Sequence, residues 1–196
     1  GRAGVVPLAG YQVAIGVFTF LVFGLDAIEA AAQVLVAESI GALDPTLARL
    51  TTLRLLRSAA ALGTVLGLVT IVSAKWIPQI FTSDPDVASA ATMGLIGVGA
   101  MMPVCGVAFA VDGIVVAGAR TSWLAAIMAV SVIGFALICF GIESMTDQPL
   151  SLGWIVICLG LFMTIRAGAG LWMVRRARWA STWASGTATD VIGVPG

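Results

Sequence analysis

The sequence has few charged residues and no histidine. Charged side chains make up 10% of its 196 residues, whereas an average soluble domain has roughly 25%. Because 60% of the residues are hydrophobic, so few charges favour lipid rather than water as the solvent. The absence of histidine removes the most common metal ligand and general base. The formal net charge is zero, so the bulk charge argues neither for nor against nucleic-acid binding.

Cysteine is also scarce, and the three cysteines all lie in apolar stretches: Cys105, Cys139 and Cys158. No CxxC motif occurs, so we expect reduced thiols that pack as small hydrophobic side chains. The apolar stretches contain no Ser–Lys dyad and no cluster of metal ligands, so we do not expect an enzyme. The sequence does not begin with Met and shows no signal-peptide cleavage site, so we expect it to start inside a longer protein.

Long apolar stretches dominate what remains. A membrane-spanning helix needs about 20 mainly apolar residues, and the stretches that qualify are 11–36, 58–77, 87–119, 122–142 and 152–174. They are rich in Ala and Leu and lack the two-residue alternation of strands. The sequence therefore predicts an all-α, polytopic membrane bundle of about five transmembrane helices within residues 1–176, followed by a cytoplasmic tail at 177–196.

Arginines mark one side of the predicted bundle. The loops are short, so consecutive spans should be antiparallel, and that places three arginine groups on one side: Arg49, Arg54 and Arg57; Arg120; and Arg175, Arg176 and Arg178. The other side carries the acids Asp84, Asp86, Glu143 and Asp147. The positive-inside rule then predicts that the arginine side and the C-terminus lie in the cytoplasm. We expect a multi-pass protein of the plasma membrane.

Asp26, Glu29, Asp112 and Arg166 lie inside the predicted spans. A charge at the bilayer centre costs about 2.5 to 3.5 kcal/mol on insertion scales, so each must face protein or a water-filled cavity. Asp26 and Glu29 are three residues apart on one helix face, which Gln33 extends by a turn. Such a face is a candidate for binding a cation or a proton. Alternatively, Asp26 hydrogen-bonds a neighbouring helix and Glu29 lines a passive cavity.

Pro103 interrupts the third span nine residues before Asp112. Proline removes one backbone donor, so we expect a bend there, with irregular backbone that lines a cavity next to Asp112. Alternatively, Asp112 caps nearby backbone at a hinge. Arg166 also has two interpretations: it is the ion-pair partner of one of the acids, or it extends towards the cytoplasmic interface.

Four segments resemble transporters of the multidrug and toxic compound extrusion (MATE) family. LDAIEAAAQVLVAESIGA (25–42) resembles that family's eighth helix, and LAGYQV (8–13) resembles the end of the seventh. IFTSDPDV (80–87) is similar to the turn between helices nine and ten. PVCGVAFAVDGIVVAGAR (103–120) resembles helix ten, especially in the DNA-damage-inducible F-like branch. The resemblance implies the C-terminal lobe, from the end of helix seven to helix twelve, without the N-terminal lobe.

The resemblance implies a secondary active transporter that exports organic or xenobiotic compounds by proton- or sodium-coupled antiport, with no cofactor besides the coupling ion. Expected partners are the lipid bilayer, a small organic substrate and an N-terminal lobe on the same or a separate chain. By resemblance, Asp112 matches the helix-ten acid of cation coupling, Asp26 the helix-eight acid and Gln33 the following glutamine. Two alternatives stay open: a flippase for lipid-linked precursors, and a non-transporting membrane scaffold or assembly subunit in which Asp26, Glu29 and Asp112 tolerate neutral substitution.

Overall fold

The computed structural model describes residues 5–118, 121–145 and 152–176. Within these ranges the chain forms helices and no strand: α1 (Val5–Gly41), α2 (Pro45–Ser73), α3 (Ile77–Phe81), α4 (Pro85–Ala117), α5 (Thr121–Met145) and α6 (Leu152–Arg176). All except α3 contain a stretch long and apolar enough to cross a membrane. The predicted all-α bundle of about five transmembrane helices is therefore confirmed.

Two Asp-Pro pairs begin the helices α2 and α4. The Asp44 side chain accepts hydrogen bonds from the backbone N–H groups of Thr46 and Leu47, both at 2.9 Å. Asp84 does the same for Asp86 and Val87, at 2.9 and 3.3 Å. In each case a proline takes the first helical position, where no backbone N–H is needed. The connections between the first and second and between the second and third predicted spans therefore each contain a helix N-cap.

The helices extend beyond the predicted spans. Helix α1 has 37 residues, a length of about 55 Å at 1.5 Å per residue, whereas the hydrocarbon core of a bilayer is about 30 Å thick. Helix α2 begins at Pro45 rather than near residue 58, because the Asp44 cap starts the helix before the apolar part. The short α3 lies in the connection after α2 and was not predicted. The limits of the membrane-embedded parts stay predictions.

Helix α4 is the central element, since it packs against α1, α2 and α6 and is buried along most of its length. Gly10 of α1 lies beside Ala90, near the start of α4, and Glu29 lies beside Gly113, near its end. Helices α1 and α4 therefore run parallel. The approach at Gly113 is close: a Cβ atom there would lie 2.3 Å from the Glu29 carbonyl oxygen.

Helix α2 crosses α4 in the opposite direction along small residues. A Cβ atom on Gly67 would lie 2.3 Å from the carbonyl oxygen of Gly99, so these backbones touch. Pro103 lies within α4, which stays helical from Pro85 to Ala117. Pro103 has no N–H group to donate a helical hydrogen bond to the carbonyl oxygen of Gly99, four residues earlier. That oxygen lies against α2 instead. The bend predicted at Pro103 stays a prediction.

Helix α6 runs parallel to α4, since Gly97 and Val111 of α4 lie beside Val156 and Gly170 of α6 respectively. Helix α5 packs against α6, with the rings of Phe135 and Phe162 edge to face at 6.0 Å. The ends of α1 and α6 and the start of α2 thus share one end of the bundle, which carries the exposed arginines Arg49, Arg54, Arg57 and Arg175. Many large apolar side chains on α1, α2 and α5 face outward, as lipid contact requires.

Candidate ion-binding site

Asp112 is the most deeply buried charged residue that the structure describes, with 2% of its surface exposed. It lies one turn before the end of α4, in a stretch where nearly every residue is buried and apolar. Its carboxylate oxygen Oδ2 accepts a hydrogen bond from Nη2 of Arg166 on α6, and the two form an ion pair. The structure therefore pairs Arg166 with one of the acids, whereas its distance from the membrane interface stays a prediction.

The ring of Phe109 packs against the Arg166 guanidinium. It precedes Asp112 by three residues and so lies next to it on α4. The guanidinium carbon is 4.9 Å from the centre of the Phe109 ring, a cation–π arrangement. Only 11% of the Arg166 side chain is exposed, and within the described residues its Nε atom has no hydrogen-bond partner. The guanidinium is therefore largely removed from solvent while one of its donors is unused.

Glu29 brings a second acid to this region from α1. It is half-buried, and its Oε1 accepts a long hydrogen bond of 3.4 Å from Nε2 of Gln33, one turn later. The close backbone contact between Glu29 and Gly113 brings α1 against α4 next to Asp112. Glu29 therefore lies beside the segment of α4 that carries Asp112.

Asp26 occupies a different environment from Glu29. Its side chain is exposed and forms no ion pair or hydrogen bond with the rest of the described chain. Three residues correspond to a rotation of about 300° around a helix axis, so the two side chains point about 60° apart. Helix α4 covers Glu29 and leaves Asp26 uncovered. The structure thus brings together Asp112, Arg166, Glu29 and Gln33, and it places Asp26 on the outer surface of α1.

Phe109 is the member of the site that sequence reasoning missed. The only available signal was its spacing of three residues from Asp112, and a phenylalanine in an apolar span is usually a packing residue. Among the described residues, no group of three or more His, Cys, Asp or Glu side chains lies close enough to hold a metal ion. The site as built is a carboxylate neutralised by a guanidinium, with a second carboxylate nearby.

The fold matches the crystal structure of a eukaryotic MATE transporter, AtDTX14, with a TM-score of 0.80 over 95% of this chain and 41% of that one, at 15% sequence identity. The chain is similar to Protein DETOXIFICATION 44, chloroplastic, of Arabidopsis thaliana, with 27% identity over 93% of this chain and 34% of that protein. It is also similar to Protein DETOXIFICATION 42 of Arabidopsis thaliana, with 28% identity over 88% of this chain and 33% of that protein.

The chain thus spans about a third of the length of these curated relatives. The family model MatE matches residues 1–140, well over half of the chain. These matches confirm the resemblance seen in the sequence, while the assignment to the DNA-damage-inducible F-like branch stays a prediction. The chain is a multi-pass membrane protein, and it belongs to the MATE family.

Proposed function

We propose that this chain forms part of a secondary active transporter that exports organic compounds in exchange for protons or sodium ions. The observation that carries the proposal is the ion pair of Asp112 and Arg166, buried between apolar helices of a MATE-family bundle. A buried ion pair contributes little net stability, because desolvation offsets most of the attraction between the charges. Ionisable residues inside membrane spans are therefore associated with the movement of ions or substrates.

The chemistry of the ion pair can couple the binding of an ion to a change in the contact between α4 and α6. Binding of a proton or cation at Asp112 changes the charge of a site that is shielded from water, where charges interact more strongly than in solvent. The charge state of Asp112 determines whether the link between α4 and α6 is an ion pair. A helix contact that depends on the bound ion is what alternation between inward-open and outward-open states requires.

The exposure of Asp26 supports the presence of another part of the transporter that covers this face of α1. Its carboxylate lies near the middle of a predicted span but is exposed in this chain, and contact with lipid there is costly. The chain spans about a third of its curated relatives. We propose that an N-terminal lobe, on the same or a separate chain, covers this face and that Asp26 lines the substrate cavity between the lobes.

The proposed location is the plasma membrane, with the arginine-rich end of the bundle in the cytoplasm. Exposed arginines gather at that end, among them Arg57 and Arg175, while the acids Asp84 and Asp86 lie at the other end. The positive-inside rule orients such a bundle with its arginines in the cytoplasm. The C-terminus then follows α6 on the cytoplasmic side.

Efflux of ethidium, a fluorescent organic cation, tests the proposed function. The complete transporter that contains this chain would be expressed in cells lacking their own exporters, and Asp112→Asn would be compared with Asp86→Asn, which changes an exposed acid at the end of the bundle. We expect the first variant to lose energy-dependent efflux at equal membrane abundance and the second to keep it. Unchanged efflux in Asp112→Asn would favour a role for Asp112 in packing alone, and no efflux with the native sequence would contradict ethidium export.

A further inference from the structure

We propose that Arg166 makes the Asp112 site selective for protons over sodium ions, by acting as a cation that is permanently attached to the protein. This inference rests on the proposed transport function and adds the identity of the coupling ion. Its basis is the position of the guanidinium, with Nη2 on the carboxylate Oδ2 and the flat face over Phe109. The place that a sodium ion would take against Asp112 is already filled by a positive charge.

A sodium ion would have to displace the guanidinium to reach the Asp112 carboxylate. A tethered group competes at a high effective concentration, since it is always beside its partner. Sodium binding further requires several oxygen ligands, of which the carboxylate supplies at most two.

A proton does not have these disadvantages. It binds directly to a carboxylate oxygen of Asp112 and forms an O–H bond, so it needs no shell of ligands. The neutral carboxyl group no longer attracts the guanidinium by charge. The proton thus competes with Arg166 for Asp112 in a way that an alkali metal ion cannot.

Glu29 is the acid that can take the released guanidinium. Its backbone contacts α4 at Gly113, next to Asp112, and its Oε1 accepts a hydrogen bond from Gln33. Protonation of Asp112 would shift the arginine from an α6–α4 pair to an α6–α1 pair, with the proton remaining on Asp112. Uptake of one proton thereby changes which helix is linked to α6.

Within the described residues, the other charged side chains of α1, α2 and α6 are exposed. Helix α1 contributes Asp26, which is exposed, in addition to Glu29. Helix α2 contributes Arg54 and Arg57, whose side chains are exposed and form no ion pair with Asp112 in the described chain. Among the described residues, the charge balance of the site therefore depends mainly on Asp112, Glu29 and Arg166.

Binding of radioactive sodium to the purified complete transporter tests the inference directly. We expect no saturable binding with the native sequence, whereas Arg166→Gln, which removes the competing charge, should show saturable sodium binding at millimolar concentration. Arg166→Lys keeps a tethered positive charge and should still exclude sodium. Arg175→Gln, which removes an exposed arginine from the same helix, should behave as the native protein does.

Transport measurements separate this inference from the function on which it rests. Saturable sodium binding to the native protein that Asp112→Asn abolishes would overturn the inference. So would a folded Arg166→Gln variant that binds no more sodium than the native protein. If Arg166→Gln does not fold, the Glu29→Gln, Arg166→Gln double variant, which keeps the net charge of the site and the Asp112 carboxylate, should bind more sodium than the native protein, and equal binding would overturn the inference. Ethidium efflux in proteoliposomes should follow a pH gradient and not a sodium gradient. Efflux driven by sodium refutes the selectivity alone, whereas absence of any efflux contradicts the export of ethidium on which the proposed function is tested.

Discussion

Substitution of Gly113 by alanine should loosen the contact between α1 and α4 at the level of the ion pair. An added Cβ would lie 2.3 Å from the Glu29 carbonyl oxygen and 2.9 Å from the Ala32 Cβ atom. The nearest group is backbone, so no side-chain rotation can relieve the overlap. The two helices would have to separate by about 1 Å to restore an ordinary van der Waals distance.

Two opposing effects determine how much Gly113→Ala changes the free energy of unfolding. Alanine is favoured over glycine inside a helix by about 1 kcal/mol. Overpacking of a close contact costs about 1 to 3 kcal/mol, and a gap of 1 Å along the rest of the interface forfeits a further part of the dispersion attraction. Gly16 of α1 is a matched control, because no atom of the described chain lies within 4 Å of the Cβ that alanine would add there. We expect Gly113→Ala to be less stable than Gly16→Ala by about 1 to 3 kcal/mol.

Thermal unfolding of the purified transporter in detergent, followed by tryptophan fluorescence, gives the comparison. Gly16→Ala should unfold at or slightly above the native temperature, and Gly113→Ala should unfold below it. Ethidium efflux should fall in Gly113→Ala as well, because movement of α1 carries Glu29 away from Asp112. Equal stability of the two variants would show that the close contact of α1 with α4 at Gly113 is not present in the protein.

Removal of one member of the buried ion pair should be costly. Arg166→Ala leaves Asp112 without its partner and should lower the free energy of unfolding by about 3 to 5 kcal/mol. Unchanged thermal unfolding of this variant would contradict the ion pair. Asp44→Ala and Asp84→Ala each remove a helix cap with two hydrogen bonds and should each lower the free energy of unfolding by about 1 kcal/mol. The controls in the same assay are Asp44→Asn and Asp84→Asn, which keep the capping oxygen. Cys105 is fully buried and should resist a membrane-impermeant maleimide until the protein is unfolded, so labelling under native conditions would argue against its position in the core.

The helices could be predicted from the sequence because their signals are local, whereas the caps at Asp44 and Asp84 were not predicted. Apolar stretches of sufficient length predicted the five membrane helices, and the prolines after Asp44 and Asp84 marked the breaks between them. The start of α2 was less accessible, because a hydropathy pattern detects where a helix becomes apolar rather than where its hydrogen bonding begins. The five residues of α3 are too few for a periodic signal.

The ion pair could not be decided from the sequence. Asp112 and Arg166 are 54 residues apart, and their contact depends on the register and rotation of α4 against α6. Both interpretations of Arg166 were compatible with its position in an apolar span. The spacing of Asp26 and Glu29 indicated one helix face, but only the packing of α4 shows that this face is covered at Glu29 and open at Asp26.

The distance along the chain between Asp112 and Arg166 also has a consequence for biosynthesis. A ribosome that adds about 5 to 20 residues per second needs on the order of 3 to 10 s to make the 54 residues that separate them. Asp112 therefore reaches the membrane before its counter-ion exists, while α1 and α2 have already been made. During that interval α4 carries an acid whose insertion costs about 2.5 to 3.5 kcal/mol. Nascent chains that end before α6 should consequently be less firmly inserted at α4 than the same chains with Asp112→Leu, a difference that a glycosylation-mapping assay would measure.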